Sequence, residues 1–159
     1  RPNPPQFIKV KLNEIIDHAL RFTPGIIKKR MQVDWDRDKS SPVLQADPHQ
    51  LGQVLLNLFI NADAAMRPQG GTLFIETASD EKNIKLTIAD SGPGIDPSHF
   101  DDIFNPFFTT KAKGSGLGLA SCKSLIDLHH GTITAANRPE GGAVFTITLP
   151  LAGGITHAG

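Results

Sequence analysis

Asp47-Pro48-His49-Gln50-Leu51-Gly52-Gln53-Val54-Leu55-Leu56-Asn57-Leu58-Phe59-Ile60-Asn61-Ala62-Asp63-Ala64-Ala65-Met66 is the stretch that decides the fold. Asp47 reads as an N-cap, Pro48 suits the first helical position, and Gln50 stands at the capping-box site. Leu51, Val54, Leu55, Leu58, Phe59, Ala62, Ala65 and Met66 follow as one continuous apolar stripe at helical spacing, and Pro68-Gln69-Gly70-Gly71 stops it. A long helix with one such stripe needs a second layer to cover it.

The flanking sequence supplies that layer. Downstream, residues 72–78 and 83–89 read as strands joined by the charged turn Asp80-Glu81-Lys82. Residues 90–118 are mostly irregular, with one short helix near 97–104; so long a connection in a compact domain points to function. A helix over 117–129 and strands over 132–136 and 143–149 complete the pattern. Upstream, Leu12, Ile15, Ile16, Ala19 and Leu20 keep helical spacing until Pro24-Gly25. Residues 31–36 and 43–46 read as short strands around the polar turn 37–41. The expected class is α+β: a two-layer α/β sandwich, with a mixed sheet carrying helices on one face.

Composition narrows the function. At 159 residues the chain suffices for one domain with a core. Sixteen basic and sixteen acidic residues cancel, which argues against nucleic-acid or membrane binding driven by bulk charge. Cys122 is the only cysteine, so no intrachain disulfide or cysteine-based zinc cluster forms. The longest apolar run, 54–60, is interrupted by Asn57 and is far short of a membrane span. Arg1-Pro2-Asn3-Pro4-Pro5 reads as linker, and a cytoplasmic setting is expected, compatible with a membrane anchor further upstream.

Four segments carry candidate chemistry. Asn57 and Asn61 lie one helical turn apart at the flank of the stripe. Their amides can offer carbonyl oxygens to a hard cation such as magnesium, or can simply rim a buried face. Asp90-Ser91-Gly92-Pro93-Gly94-Ile95 follows a strand. The Asp90 carboxylate can accept from an amino group such as that of adenine, and the same residues also suit an ordinary turn. Ile103-Phe104-Asn105-Pro106-Phe107-Phe108-Thr109-Thr110-Lys111 places three phenylalanines in a loop. They can anchor a movable lid with Lys111 as a phosphate contact, or pack on the core. Gly114-Ser115-Gly116-Leu117-Gly118-Leu119 opens a helix, whose free N–H groups attract phosphate.

In this order and spacing the segments resemble the asparagine, first glycine, phenylalanine and second glycine boxes of the sensor histidine kinase catalytic domain. That domain has the Bergerat ATP-binding fold, shared with type II topoisomerases and MutL. Gly141-Gly142-Ala143-Val144-Phe145-Thr146 resembles the last box. The likeness runs from about Val10 to Pro150, and the Phe107-Phe108-Thr109-Thr110-Lys111 lid start is most similar to nitrogen-regulatory and oxygen-sensing kinases. The resemblance implies residues 1–9 as linker from a separate dimerisation domain, 10–151 as the catalytic ATP-binding domain, and 152–159 as a flexible tail.

It further implies ATP and magnesium as cofactors. Asn61 would be the magnesium ligand, with Asn57 beside it, and Asn57, Asn61 and Lys111 would serve the chemistry. Asp90 would bind adenine, with Gly92 and Gly94 shaping its turn. Gly114, Gly116 and Gly118 with the Leu117 backbone would cover the phosphates. Ile95, Phe104, Thr109, Thr110, Ser115, Leu119 and Thr146 complete the implied nucleotide contacts. Implied partners are the chain's own dimerisation and phosphoacceptor domain, forming a homodimer at full length, and a response regulator receiver domain, with no nucleic acid. This stretch alone is expected to be a monomer.

A phosphoacceptor histidine of this kind precedes Glu or Asp. None of His18, His49, His99, His129, His130 and His157 does, so all six are expected to be surface or capping histidines. Family members commonly have an acid three residues after the second asparagine, where this chain has Ala64. The alternatives are a self-contained ATPase of the topoisomerase kind, a serine kinase like an anti-sigma factor, and a nucleotide-dependent interaction module. The ATPase relatives carry Glu at the Asn57 position, and asparagine is no useful base at neutral pH.

Overall fold

The computed structural model describes residues 2–108 and 117–151. In chain order the elements are β1 (Ile8–Lys11), α1 (Leu12–Phe22), α2 (Gly25–Arg30), β2 (Met31–Asp36), β3 (Val43–Ala46), α3 (Pro48–Met66), β4 (Gly71–Ser79), β5 (Asn83–Asp90), a 3-10 turn (Pro97–His99), α4 (Leu117–Leu128), β6 (Thr132–Asn137) and β7 (Ala143–Pro150). Five strands form a mixed sheet in the order β2-β4-β5-β7-β6, while β1 and β3 pair separately. Only β2 and β4 run parallel; the other pairs are antiparallel. One face of the sheet (Leu73, Ile75, Ile84, Leu86, Ile88, Phe145, Ile147) meets the buried stripes of α1, α3 and α4. This is the two-layer arrangement that the helical stripe demands.

The strands expected at 31–36 and 43–46 form with those bounds, but in different sheets: β2 joins the five-stranded sheet and β3 pairs with β1. Between them, Asp38 is held from three sides. Its N–H donates to Thr77 Oγ1 (2.7 Å), its carbonyl accepts from Asn13 Nδ2 (2.9 Å), and its carboxylate accepts from Ser79 Oγ. These anchors hold the connection against the end of β4, leaving β2 to join the large sheet and β3 to meet β1. The boundary drawn at Val10 falls inside β1, since Ile8 and Lys9 pair with Ala46 and Gln45. In the helical stripe, Ala65 is exposed and Asp63 is buried, because Arg30 covers Asp63 with a two-pronged ion pair at 3.0 and 2.7 Å.

The start of α3 also departs from the expected capping box. Asp47 Oδ1 does accept from His49 N (3.0 Å) and Gln50 N (3.1 Å). Gln50, however, turns away and donates to the Asn3 carbonyl (2.8 Å). The Asp47 N–H donates instead to His129 Nε2 (3.0 Å). His129 is thus not a surface histidine: it is 3% exposed, bonds the last turn of α4, and ties that end to the start of α3. Its Nδ1 lies 2.8 Å from the Leu125 carbonyl, so the ring is neutral with the proton on Nδ1. Gln6 N donates to Asp47 Oδ2 (2.9 Å) and Phe7 stacks edge-on against His129 (5.2 Å), bringing the N-terminal segment to the same point.

Burial pushes the His129 pKa below the ordinary histidine value, against the raising effects of the Leu125 carbonyl and the Asp47 carboxylate. The unfolded chain therefore binds a proton more readily than the folded one. The stability from neutral His129 is complete above about pH 6.5 and is lost as pH falls through the depressed folded value. Urea unfolding at pH 7.5 and pH 5 should show this loss. His129→Ala should cost about 2–3 kcal/mol at pH 7.5 and should flatten the dependence between the two.

Candidate nucleotide site

The site lies where α3, the end of β5 and the β6–β7 connection meet. Asn57 is half-buried on the side of α3 that faces α4, and Asn61, one turn on, is exposed. The Asn57 side chain lies beside the Cys122 thiol of α4, which is fully buried and donates to the Val54 carbonyl (3.8 Å). Burial pushes this thiol up to about 11, with the Asn57 contact pulling the other way.

Asp90 ends β5 on the helix-covered face and is 4% exposed. Its Oδ1 accepts from Gly92 N (2.8 Å) and Ala143 N (3.3 Å). Among the described residues, none donates to Oδ2. Burial raises the Asp90 pKa, while these two N–H groups and the nearby Arg138 hold it down. The result is a carboxylate fixed through one oxygen, with the other left for a partner. Gly142 makes this geometry possible. Its φ is +98°, and a Cβ there would lie 1.9 Å from the Asp90 carbonyl oxygen. Only glycine fits so close a strand end.

Of the other sequence candidates, Ile95 and Phe104 are partly buried against the core, and Phe104 meets Phe145 edge-on at 6.1 Å. In the turn after Asp90, Gly94 has φ +90° and a Cβ on Gly92 would lie 2.9 Å from the Ala65 carbonyl oxygen; Gly118 and Leu119 lie in the first turns of α4. Leu117 opens that helix. Thr109, Thr110, Lys111, Gly114, Ser115 and Gly116 lie outside the described residues. The short helix expected near 97–104 is a 3-10 turn over Pro97–His99, followed by turns. Phe107 is 86% exposed, whereas Phe108 sits against His99 (5.2 Å). Thr146 is not brought to the site. Alternation along β7 turns Ala143, Phe145 and Ile147 towards the helices, so Thr146 lies on the open face, paired with Thr87 and Thr134. A surface groove of about 570 Å³ between residues 100–106, α4 and β6 shares only Phe104 with the expected contacts.

Several residues around Asp90 escaped the sequence reading. Met66 Sδ lies 3.4 Å from both Ser91 N and Ser91 Oγ. Arg138 donates to the carbonyls of Gly141 (2.7 Å) and Asp90 (3.4 Å) and lies 4.2 Å over the Phe74 ring. Asn137 bonds both backbone groups of Ile95.

Residues 46–153 match the family described as histidine kinase-, DNA gyrase B- and HSP90-like ATPase, and the chain belongs to it. Its relatives place it among the catalytic ATP-binding domains of two-component sensor histidine kinases. Sensor histidine kinase ZraS of Escherichia coli K12 is 39% identical over 143 residues, covering 89% of this chain and 30% of that protein. The signal transduction histidine-protein kinase AtoS of the same organism is 38% identical, covering 95% of this chain and 25% of that protein. The chain therefore spans less than a third of the length of these relatives. The nucleotide-free catalytic domain of histidine kinase ThkA superposes with a TM-score of 0.84 at 33% identity, covering 93% of this chain and 97% of that one. A structure of ThkA in complex with response regulator protein TrrA gives 0.81 at 31% identity, over 94% of this chain and 43% of that one.

Asp90→Asn should weaken ADP binding by about 1.5–3 kcal/mol, because a charge-assisted hydrogen bond to an amino group is lost. It should also erode the preference for adenine over guanine. Calorimetric titration of both proteins with ADP and GDP reads both effects, and unchanged affinities would make Asp90 only a turn residue.

Proposed function

We propose that this chain binds Mg-ATP and donates the γ-phosphoryl to a histidine on a separate dimerisation domain, in two-component signalling that passes on to a response regulator. The observation that carries the proposal is the Asp90 carboxylate, anchored by Gly92 and Ala143 with its second oxygen left over. In this role Oδ2 takes the adenine amino group and the Ser91–Gly94 turn lies along the base.

Asn57 and Asn61 fit a magnesium ion that shares its shell with phosphates. Their amides are neutral oxygen donors one turn apart, and among the described residues no cluster of carboxylates or histidines competes for a metal. Magnesium bound there supplies charge neutralisation for the phosphates. The chain's own groups then position: Asn57, beside the Cys122 thiol, and Asn61 orient the phosphates from α3. The N–H groups at the start of α4 serve them, and by the family resemblance Lys111 or Lys113 adds positive charge. The sharing of the 109–116 contacts among Thr109, Thr110, Lys111, Gly114, Ser115 and Gly116 follows the family resemblance.

The Asn57 position argues for transfer to a partner rather than hydrolysis. An amide and a thiol whose pKa is near 11 meet there, and neither takes a proton from water at neutral pH. None of the six histidines precedes an acid, so the acceptor belongs to the separate domain. A structure of full-length ShkA in complex with AMPPNP, similar at 27% identity and a TM-score of 0.79, is in keeping with a nucleotide at this site. No helix among the described residues is long and apolar enough to cross a membrane.

Two measurements test the proposal. Asn61→Ala should lose most of its ATP affinity in magnesium and little in EDTA; equal losses in both would assign Asn61 to packing. With γ-labelled ATP, the isolated chain should gain no acid-labile label and release phosphate only slowly. Added helical phosphoacceptor domain should become labelled. Label on this chain alone, or sustained phosphate release, would contradict the proposal.

A further inference from the structure

We infer that Asn137 is a positioning residue for the nucleotide base: its side-chain amide sets where the turn after Asp90 runs. The inference rests on the reading of that turn as the adenine-facing wall. Asn137 ends β6 and pairs in register with Ala143, the residue whose N–H holds Asp90 Oδ1. From there its Oδ1 accepts from Ile95 N (2.8 Å) and its Nδ2 donates to the Ile95 carbonyl (2.7 Å). One planar amide thus satisfies both backbone groups of a residue 42 positions away, much as one strand residue pairs with another. Gly94, at φ +90°, makes room for it, since a Cβ there would lie 2.9 Å from Asn137 Oδ1.

The turn is therefore gripped at both ends by the same connection. At its start, Gly142 packs on the Asp90 carbonyl and Arg138 donates to it. At its far end, Asn137 holds Ile95. Between them, the described contacts are the Gly92 N–H to Asp90 and the soft Ser91 contacts to Met66 Sδ. Ile95 also packs part of its side chain against the core, but among the described residues the Asn137 pair of hydrogen bonds is what holds its backbone. In the proposed reading the Asp90 carboxylate and the apolar Ile95 side chain lie on either side of the base. Asn137 is exposed, and its bonds hold a surface turn rather than the core. Removing them should release the turn and leave the sheet intact.

The test uses the chain as it stands, with wild type, Asn137→Ala and Asn137→Asp. The aspartate keeps an acceptor for Ile95 N but turns an acceptor towards the Ile95 carbonyl, so it should behave like the alanine. Both variants should bind ADP about fivefold to twentyfold more weakly, as a binding group held loosely loses affinity. Both should also discriminate less between ADP and GDP. Hydrogen exchange by NMR should show the Ile95 amide unprotected in the variants, with the β5 and β7 amides protected as in wild type. Wild-type ADP affinity and selectivity in both variants would overturn the inference while leaving the adenine site standing. Protection lost across β5 and β7 would overturn it too, by making Asn137 a residue of the fold. A wild-type chain that binds no adenine nucleotide would instead remove the reading on which the inference rests.

Discussion

A carboxylate on the helix-covered face of a sheet loses most of its hydration, and an uncompensated one would simply take up a proton. Asp90 keeps its place because the last turn of β5 meets the first residue of β7. The Ala143 and Gly92 N–H groups then neutralise one oxygen without adding a charge. That meeting requires Gly142, because any side chain would strike the Asp90 carbonyl. Arg138 stacks on Phe74 and ties the same carbonyl to the loop. The arrangement at this end of the sheet thus follows from holding one acid in a dry place while leaving it one oxygen to use.

The helical layer answers a similar demand at the other side of the site. Asn57 and Asn61 stand on α3 because the stripe that buries Val54, Leu58 and Ala62 leaves their face turned along the edge of α4. Asp63, buried two residues beyond Asn61, keeps its charge through the Arg30 fork and a longer contact with Arg67 at 3.7 Å. At its start, the same helix shares Asp47 with His129 and with the incoming N-terminal segment. Both helices that flank the site are therefore joined at a point far from it, through a neutral imidazole and a cap.

How legible this was depended on how local each cause is. The α3 stripe, its stop at Pro68 and the strand pattern of β5 and β7 are set by neighbours within a few residues, and periodicity reveals them. Asp90, Asn57 and Asn61 stood out because each sits at a landmark, a strand end or the flank of a stripe. The role of Asn137 could not be read, since it needs the register of β6 on β7 and the return of a turn 42 residues earlier. Thr146 was misplaced for a related reason. Its neighbours in sequence belong to the site, but a strand sends successive side chains to opposite faces. His129 was misread because a histidine just past a helix end usually faces water, and only the packing of α4 on α3 buries this one.

The parallel pairing of β2 with β4 makes α3 a crossover helix. β4 with β5 and β6 with β7 form hairpins. The wall bearing Asp90 also needs β5 to meet β7 across α4 and β6, a contact 53 residues apart in sequence at Asp90 and Ala143. The wall bearing the two asparagines arrives with the crossover, which closes only when β2 docks beside β4. A nucleotide that touches both walls would therefore act as a clasp between them. Because α3 also packs directly on β4 and β5, such a clasp would tighten the helix on the middle of the sheet and leave the β2 edge to its own pairing with β4.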